Sequence, residues 1–166
     1  MVNGQVLRLT RRSEHNNIVV LVLPPFEPTG RLPAGIHPAT WPAFVERFGT
    51  SAYRRGQLAE LEAALRLLRQ ANCARVFVGG SFVTAKNEPK DVDVAWDVDG
   101  VDAEALDPVF FDFADDRAAQ KQRFGAEFFP AQLVEGLTGR SFLQFFQYTR
   151  DDEPVGIVVV DLKTIP

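Results

Sequence analysis

The stretch that most restricts the fold is RVFVGGSFVTAKNEPKDVDVAWD, residues 75–97. Val76, Phe77 and Val78 predict a β-strand, Gly79 and Gly80 a sharp turn ending in Ser81, and the segment carrying Asp91 and Asp93 a second strand. Successive side chains on a strand face opposite ways, so the two aspartates share one face while Val92 and Val94 take the core side. Their Cα atoms then lie roughly 6.5–7 Å apart, close enough for both carboxylates to hold a divalent metal. Two like charges on a strand that otherwise wants burial are costly unless a cation neutralises them. The glycines let the backbone lie close to a ligand, and the turn N–H groups with the Ser81 hydroxyl can donate to phosphate oxygens. Phosphate donors beside metal-holding carboxylates predict a nucleoside-triphosphate site. A Gly-Gly-Ser turn alone is usually only a turn, and an Asp-x-Asp pair alone a solvated strand end; their order over a short distance makes the combination specific.

The run GGSFVTAKNEPKDVDV resembles the signature of the DNA polymerase beta-type nucleotidyltransferase superfamily, with Gly80, Ser81, Phe82, Asp91, Asp93 and Val94 matching its pattern. Val83 and Thr84 stand where that polymerase carries two arginines, which leaves Lys86 as the nearest basic replacement at the phosphate. The resemblance covers roughly residues 50–163. It implies an α+β fold of the nucleotidyltransferase (polymerase beta palm-like) type, a mixed β-sheet with helices packed mainly on one face. It also implies a third carboxylate on a later strand, for which Val160-Asp161-Leu162 offers Asp161. In that reading Asp91 and Asp93 hold Mg²⁺ or Mn²⁺ on the triphosphate of an NTP, taken as ATP. Asp161 joins them at a second ion and helps activate the attacking hydroxyl, while Gly79, Gly80, Ser81 and Lys86 contact the nucleotide. The chain is also similar to minimal nucleotidyltransferases of bacterial toxin–antitoxin pairs, which modify a partner toxin with AMP, and to small antibiotic- or tRNA-modifying relatives. The acceptor is therefore a hydroxyl on a protein, an RNA or a small molecule. The alternative is a non-catalytic module or antitoxin acting by contact with a partner protein.

The composition, 46% hydrophobic and 24% charged over 166 residues, is that of a globular domain able to bury a sizeable core. A formal charge of −4 argues against holding long duplex nucleic acid by phosphate neutralisation, and against an RNA-directed terminal transferase. One cysteine, Cys73, precludes an internal disulfide and fits a reducing cytoplasm, and a single cysteine with two histidines argues against a Cys/His zinc site. The apolar run at residues 18–23 is too short to span a membrane. The expectation is a soluble, cytoplasmic protein.

Along the chain, residues 1–39 read as an N-terminal arm, a short strand IVVLVL and a Pro/Gly-rich segment with no regular element, and residues 40–166 as the catalytic-type domain. Thr40 caps a helix ending at Gly49, and a second begins near Ser51 and runs to Gln70, with Leu58, Leu61, Leu65 and Leu68 as a core stripe. PVFFDF predicts a strand, Asp115 a cap for a helix closing at Gly125, and SFLQFFQYT with VGIVVVDL a hairpin. Arg117 and Lys121 share a helix face, and Lys121 or Arg123 could meet phosphate or acceptor. Asp112, Asp115 and Asp116 are assigned to loop and cap duty, and most of the fourteen phenylalanines to the core.

Overall fold

The computed structural model describes residues 22–166. The arm over residues 1–17 and most of the strand predicted at residues 18–23 lie outside the described residues; Val22 and Leu23 themselves are not in a strand. The architecture is α+β, built on a mixed five-stranded open sheet. Strand β1 (Gly35–Thr40) is followed by helices α1 (Trp41–Phe48) and α2 (Ala52–Gln70), then strands β2 (Arg75–Gly79) and β3 (Val92–Trp96). Helix α3 (Ala114–Phe124), strand β4 (Ala126–Pro130), the one-turn helix α4 (Phe142–Phe145) and strand β5 (Gly156–Asp161) complete it. The sheet order is β1-β5-β2-β3-β4, with β1/β5 and β3/β4 parallel and the two central pairings antiparallel.

Helices α1 and α2 form where their caps predict. The Thr40 hydroxyl accepts from Ala43 N at 3.3 Å, and the Ser51 hydroxyl accepts from Arg54 N at 3.1 Å. Leu58, Leu61, Leu65 and Leu68 are buried, each contributing about 1.5–3 kcal/mol of apolar burial. They join Phe44 and Phe48 of α1 and the inward residues Val76, Val78, Val92, Val94, Phe128, Val158 and Val160 in the main core. The opposite face carries a smaller cluster of Phe77, Ala95, Phe129, Phe146 and Ile157.

Three expectations need correction. Residues 24–39 do contain a regular element: residues 35–39, assigned to the arm, make most of β1, and Pro38 is tolerated because β1 is an edge strand paired only with β5. PVFFDF forms a 3₁₀ turn, Pro108–Phe111, whose start is capped by the Asp107 carboxylate accepting from Val109 N at 3.0 Å. SFLQFFQYT is not a strand, since Ser141 and Gln144 close a capping box that starts α4. The strand beside β3 is instead AEFFP, and VGIVVVDL does supply β5.

Candidate functional site

Ser81 follows the end of β2 in a 3₁₀ turn, Gly80–Val83, which no side chain caps. Two devices fix that turn. Phe82 is fully buried and packs at 6.0 Å from Phe44 and 6.2 Å from Phe48, anchoring the turn in the main core. Arg54 of α2, also buried, donates to Phe82 O and Thr84 O at 2.9 Å and to Lys86 O at 2.8 Å. Burial lowers the pKa of its guanidinium, yet backbone carbonyls surround it on the loop side and Phe48 O accepts a further bond at 3.2 Å. The next helical turn continues the bracket, with Gln57 donating to Pro89 O at 2.9 Å and Tyr53 to the same oxygen at 3.1 Å. Sequence reasoning passed over Arg54, because an arginine on a helix reads as surface until its partners are known.

Gly80 sits at φ +66, and a Cβ there would lie 2.1 Å from Asp93 Oδ2. Only glycine lets the turn approach that carboxylate so closely. Gly79 is opposite Asp93 in the β2/β3 register and packs on Phe146. Asp93 in turn is directly opposite Glu127 across the parallel β3/β4 pair. Burial pushes the Asp93 pKa up to about 6, helped by the charges of Glu127 and Asp91 and by a hydrogen bond with Glu127. Asp91 itself precedes the first residue of β3 and is partly exposed.

Asp161 does not join them. It is opposite Arg75 at the far end of β2, whereas Asp93 is opposite Gly79 at the near end. Four residues of strand and two interstrand steps separate the two aspartates by on the order of 16 Å. Asp161 is exposed, and its carboxylate accepts from Lys163 N at 2.9 Å, capping the terminal 3₁₀ turn Leu162–Thr164. The third carboxylate beside Asp93 is Glu127. Its setting, Ala126-Glu127-Phe128, has the same hydrophobic-acid-hydrophobic pattern as Val160-Asp161-Leu162, so that pattern alone does not choose between them.

Lys121 of α3 is ion-paired with Glu127 and, at 2.8 Å, with Asp116; hydrogen bonds to both carboxylates raise its pKa. Arg117 lies 3.9 Å over the Phe129 ring, its Nε buried and without a partner among the described residues, in a left-handed run over residues 115–117. Asp115 is part of that run and is not the helix cap. Asp112 accepts from Ala114 N at 3.1 Å, and Arg123 pairs with Asp107 at 2.8 Å. Lys86 is exposed and is not among the residues lining the cavity at the site.

That cavity, about 720 Å³, is lined by Gly80, Ser81 and Thr84 of the turn, by Asp93, Glu127 and Phe129 of the sheet, and by Arg31, Arg140 and Arg150 from loops distant in sequence. Its size is that of a small-molecule site. Among the described residues no three His, Cys, Asp or Glu side chains form a ready-made metal cage. Mg²⁺ does not require one, since it keeps several waters and commonly takes one or two carboxylates plus phosphate oxygens. The donor set fits such an ion: Asp93 and Glu127 offer neighbouring hard-oxygen donors, and burial with the nearby charges of Glu127 and Asp91 raises the Asp93 pKa to about 6, a repulsion that a cation would relieve.

No curated protein and no solved structure matches the chain. A family model does match, over residues 24–161, a span that takes in the five strands of the described residues and both the Ser81 turn and Glu127. The chain belongs to the family of unknown function DUF6932.

Proposed function

We propose that this protein is a nucleotidyltransferase that uses Mg²⁺ or Mn²⁺ to move a nucleoside monophosphate, AMP from ATP, onto a hydroxyl of a protein, RNA or small-molecule acceptor. The observation that carries the reading is the meeting of Asp93 and Glu127 across adjacent strands, in one cavity with the Gly80-Ser81 turn. The divalent ion would be held by Asp93 and Glu127, with Asp91 nearby, and would supply neutralisation of the triphosphate and of the departing pyrophosphate. Ser81 and the turn N–H groups hold and orient the phosphates, and Gly80 gives them access by keeping the space beside Asp93 clear. Glu127 takes the role first expected of Asp161, accepting the proton of the attacking hydroxyl. Phe129, Phe145 and Phe146 give the cavity apolar walls against which a base can rest.

The test is transfer of label from α-labelled nucleotide to a component of a cell lysate, tried with all four nucleotides and either metal. Labelling that disappears in Asp91→Ala/Asp93→Ala supports the reading; labelling that persists in that variant contradicts it. A second reading, a binding module that acts on a partner protein by contact, is favoured by one observation: Lys121 already neutralises Glu127. The two part on thermal stabilisation by ATP with Mg²⁺, which the enzyme requires and a vestigial pocket lacks.

A further inference from the structure

The cavity has an electrostatic polarity that the carboxylates and the Ser81 turn do not account for. Arg31, from the segment before β1, and Arg140 and Arg150, from the connection between α4 and its flanking strands, line the same space as Ser81 and Thr84. Arg31 is held beside the turn by its chain neighbour, because Gly30 O accepts from Ala85 N at 2.8 Å. The Arg140 guanidinium stacks 4.0 Å over the Tyr148 ring, which orients its fork, and pairs with Asp152 at 2.7 Å. Arg31 pairs with Glu153 at 3.4 Å. Both acidic partners are about seven-tenths exposed, at 70% and 68%, so these pairs hold weakly and exchange readily for a stronger anion. Arg150 makes no ion pair among the described residues.

We infer that Arg31, Arg140 and Arg150 form the seat for the polyphosphate tail of the incoming nucleotide, the part first assigned to Lys86. Guanidinium forks match phosphate oxygens in pairs, and three of them around one space suit a multiply charged chain better than a single phosphate. The tail, rather than a phosphate of the acceptor, is the ligand because Arg31 follows Gly30, which is hydrogen-bonded to Ala85 next to the Ser81 turn, and lines the same cavity as Ser81 and Thr84. Asp152 and Glu153 act as exchangeable counter-ions that compete with the ligand for the arginines. The inference rests on the nucleotidyltransferase reading for the identity of the ligand, and its test is independent of catalysis.

The experiment is calorimetric titration of the full chain with inorganic tripolyphosphate, and separately with monophosphate and adenosine, in chelator without divalent metal. Tripolyphosphate is expected to bind more tightly than either comparison ligand. Arg140→Gln should weaken it about tenfold and Arg31→Gln or Arg150→Gln about fivefold, while Arg123→Gln, whose partner is Asp107, leaves it unchanged. Asp152→Asn, at an exposed position, should tighten it about two- to threefold by releasing Arg140. Wild-type affinity in Arg140→Gln, or weakening in Asp152→Asn, overturns the assignment, as does absence of tripolyphosphate binding by a wild-type chain that transfers label. Arginine-dependent tripolyphosphate binding without any label transfer would retire the enzyme reading and leave the anion seat in place.

Discussion

Asp93 is the side chain through which burial, charge and chemistry are coupled. Its pKa is raised to about 6 by burial and then by the neighbouring Glu127 and Asp91, so the folded state favours its protonated form. A carboxyl raised in this way stabilises the fold fully below its unfolded pKa of about 4, and the contribution is lost as pH rises through about 6. At pH 8 the ionised group costs up to about 3 kcal/mol relative to an unperturbed carboxyl. Asp93→Asn should therefore raise the melting temperature at pH 8 and change it little at pH 4, as paired thermal melts would show. Equal effects at both pH values would mean that Asp93 is not perturbed. Its neighbour Gly80 offers a second test. Gly80→Ala places a methyl against Asp93 Oδ2 at a backbone angle L-residues avoid, and should cost about 2 kcal/mol or more in denaturant unfolding. Adding Asp93→Ala to that variant should recover part of the loss, because the clash then disappears and only the backbone strain persists.

Among the elements, α2 positions the site without touching it. Arg54 gathers the carbonyls of Phe48, Phe82, Thr84 and Lys86 onto one guanidinium, and removing it strands several buried acceptors at once. Arg54→Ala should destabilise the chain by about 3 kcal/mol, with the earliest loss of hydrogen-exchange protection in residues 82–90. Uniform loss across all strands would place Arg54 in the general core instead. Helices α1 and α2 were legible in the sequence because their signals are local: Thr40 and Ser51 cap, and the leucines of α2 repeat with the helical period. So was the strand–turn–strand around Ser81, since glycines and alternating valines lie within one short segment. The third carboxylate was not legible. Asp161 and Glu127 have the same flanking pattern, and only the register of β5 and β4 against the central strands tells them apart. Register is a long-range property, set by which hydrophobic faces meet, and the parallel β3/β4 pairing passes through α3. For local reasons β4 was passed over and the segment around α4 was misread as a strand. AEFFP is five residues long with two adjacent phenylalanines, and SFLQFFQ hides a capping box within an aromatic run.

At the scale of the molecule, an acidic chain builds a cavity in which the carboxylates of the sheet stand beside arginines borne by loops. That arrangement suits a ligand carrying both a cation and a polyanion, and it makes binding depend on pH in a defined direction. Stabilisation by a metal–nucleotide complex should fall as pH drops through about 6, where Asp93 takes up its proton in place of the ion. No helix among the described residues is long and apolar enough to cross a membrane. In the proposed reading the cation is held by Asp93 and Glu127 with Asp91 nearby, and not by Asp161. The most direct measurement is the Mg²⁺-dependent part of the thermal stabilisation given by a non-hydrolysable ATP analogue at pH 8, compared among the wild type, Asp93→Asn, Glu127→Gln and Asp161→Asn. The predicted result is loss of that increment in Asp93→Asn and Glu127→Gln and its full retention in Asp161→Asn. An increment that survives in Glu127→Gln, or that vanishes in Asp161→Asn, would contradict the site described above.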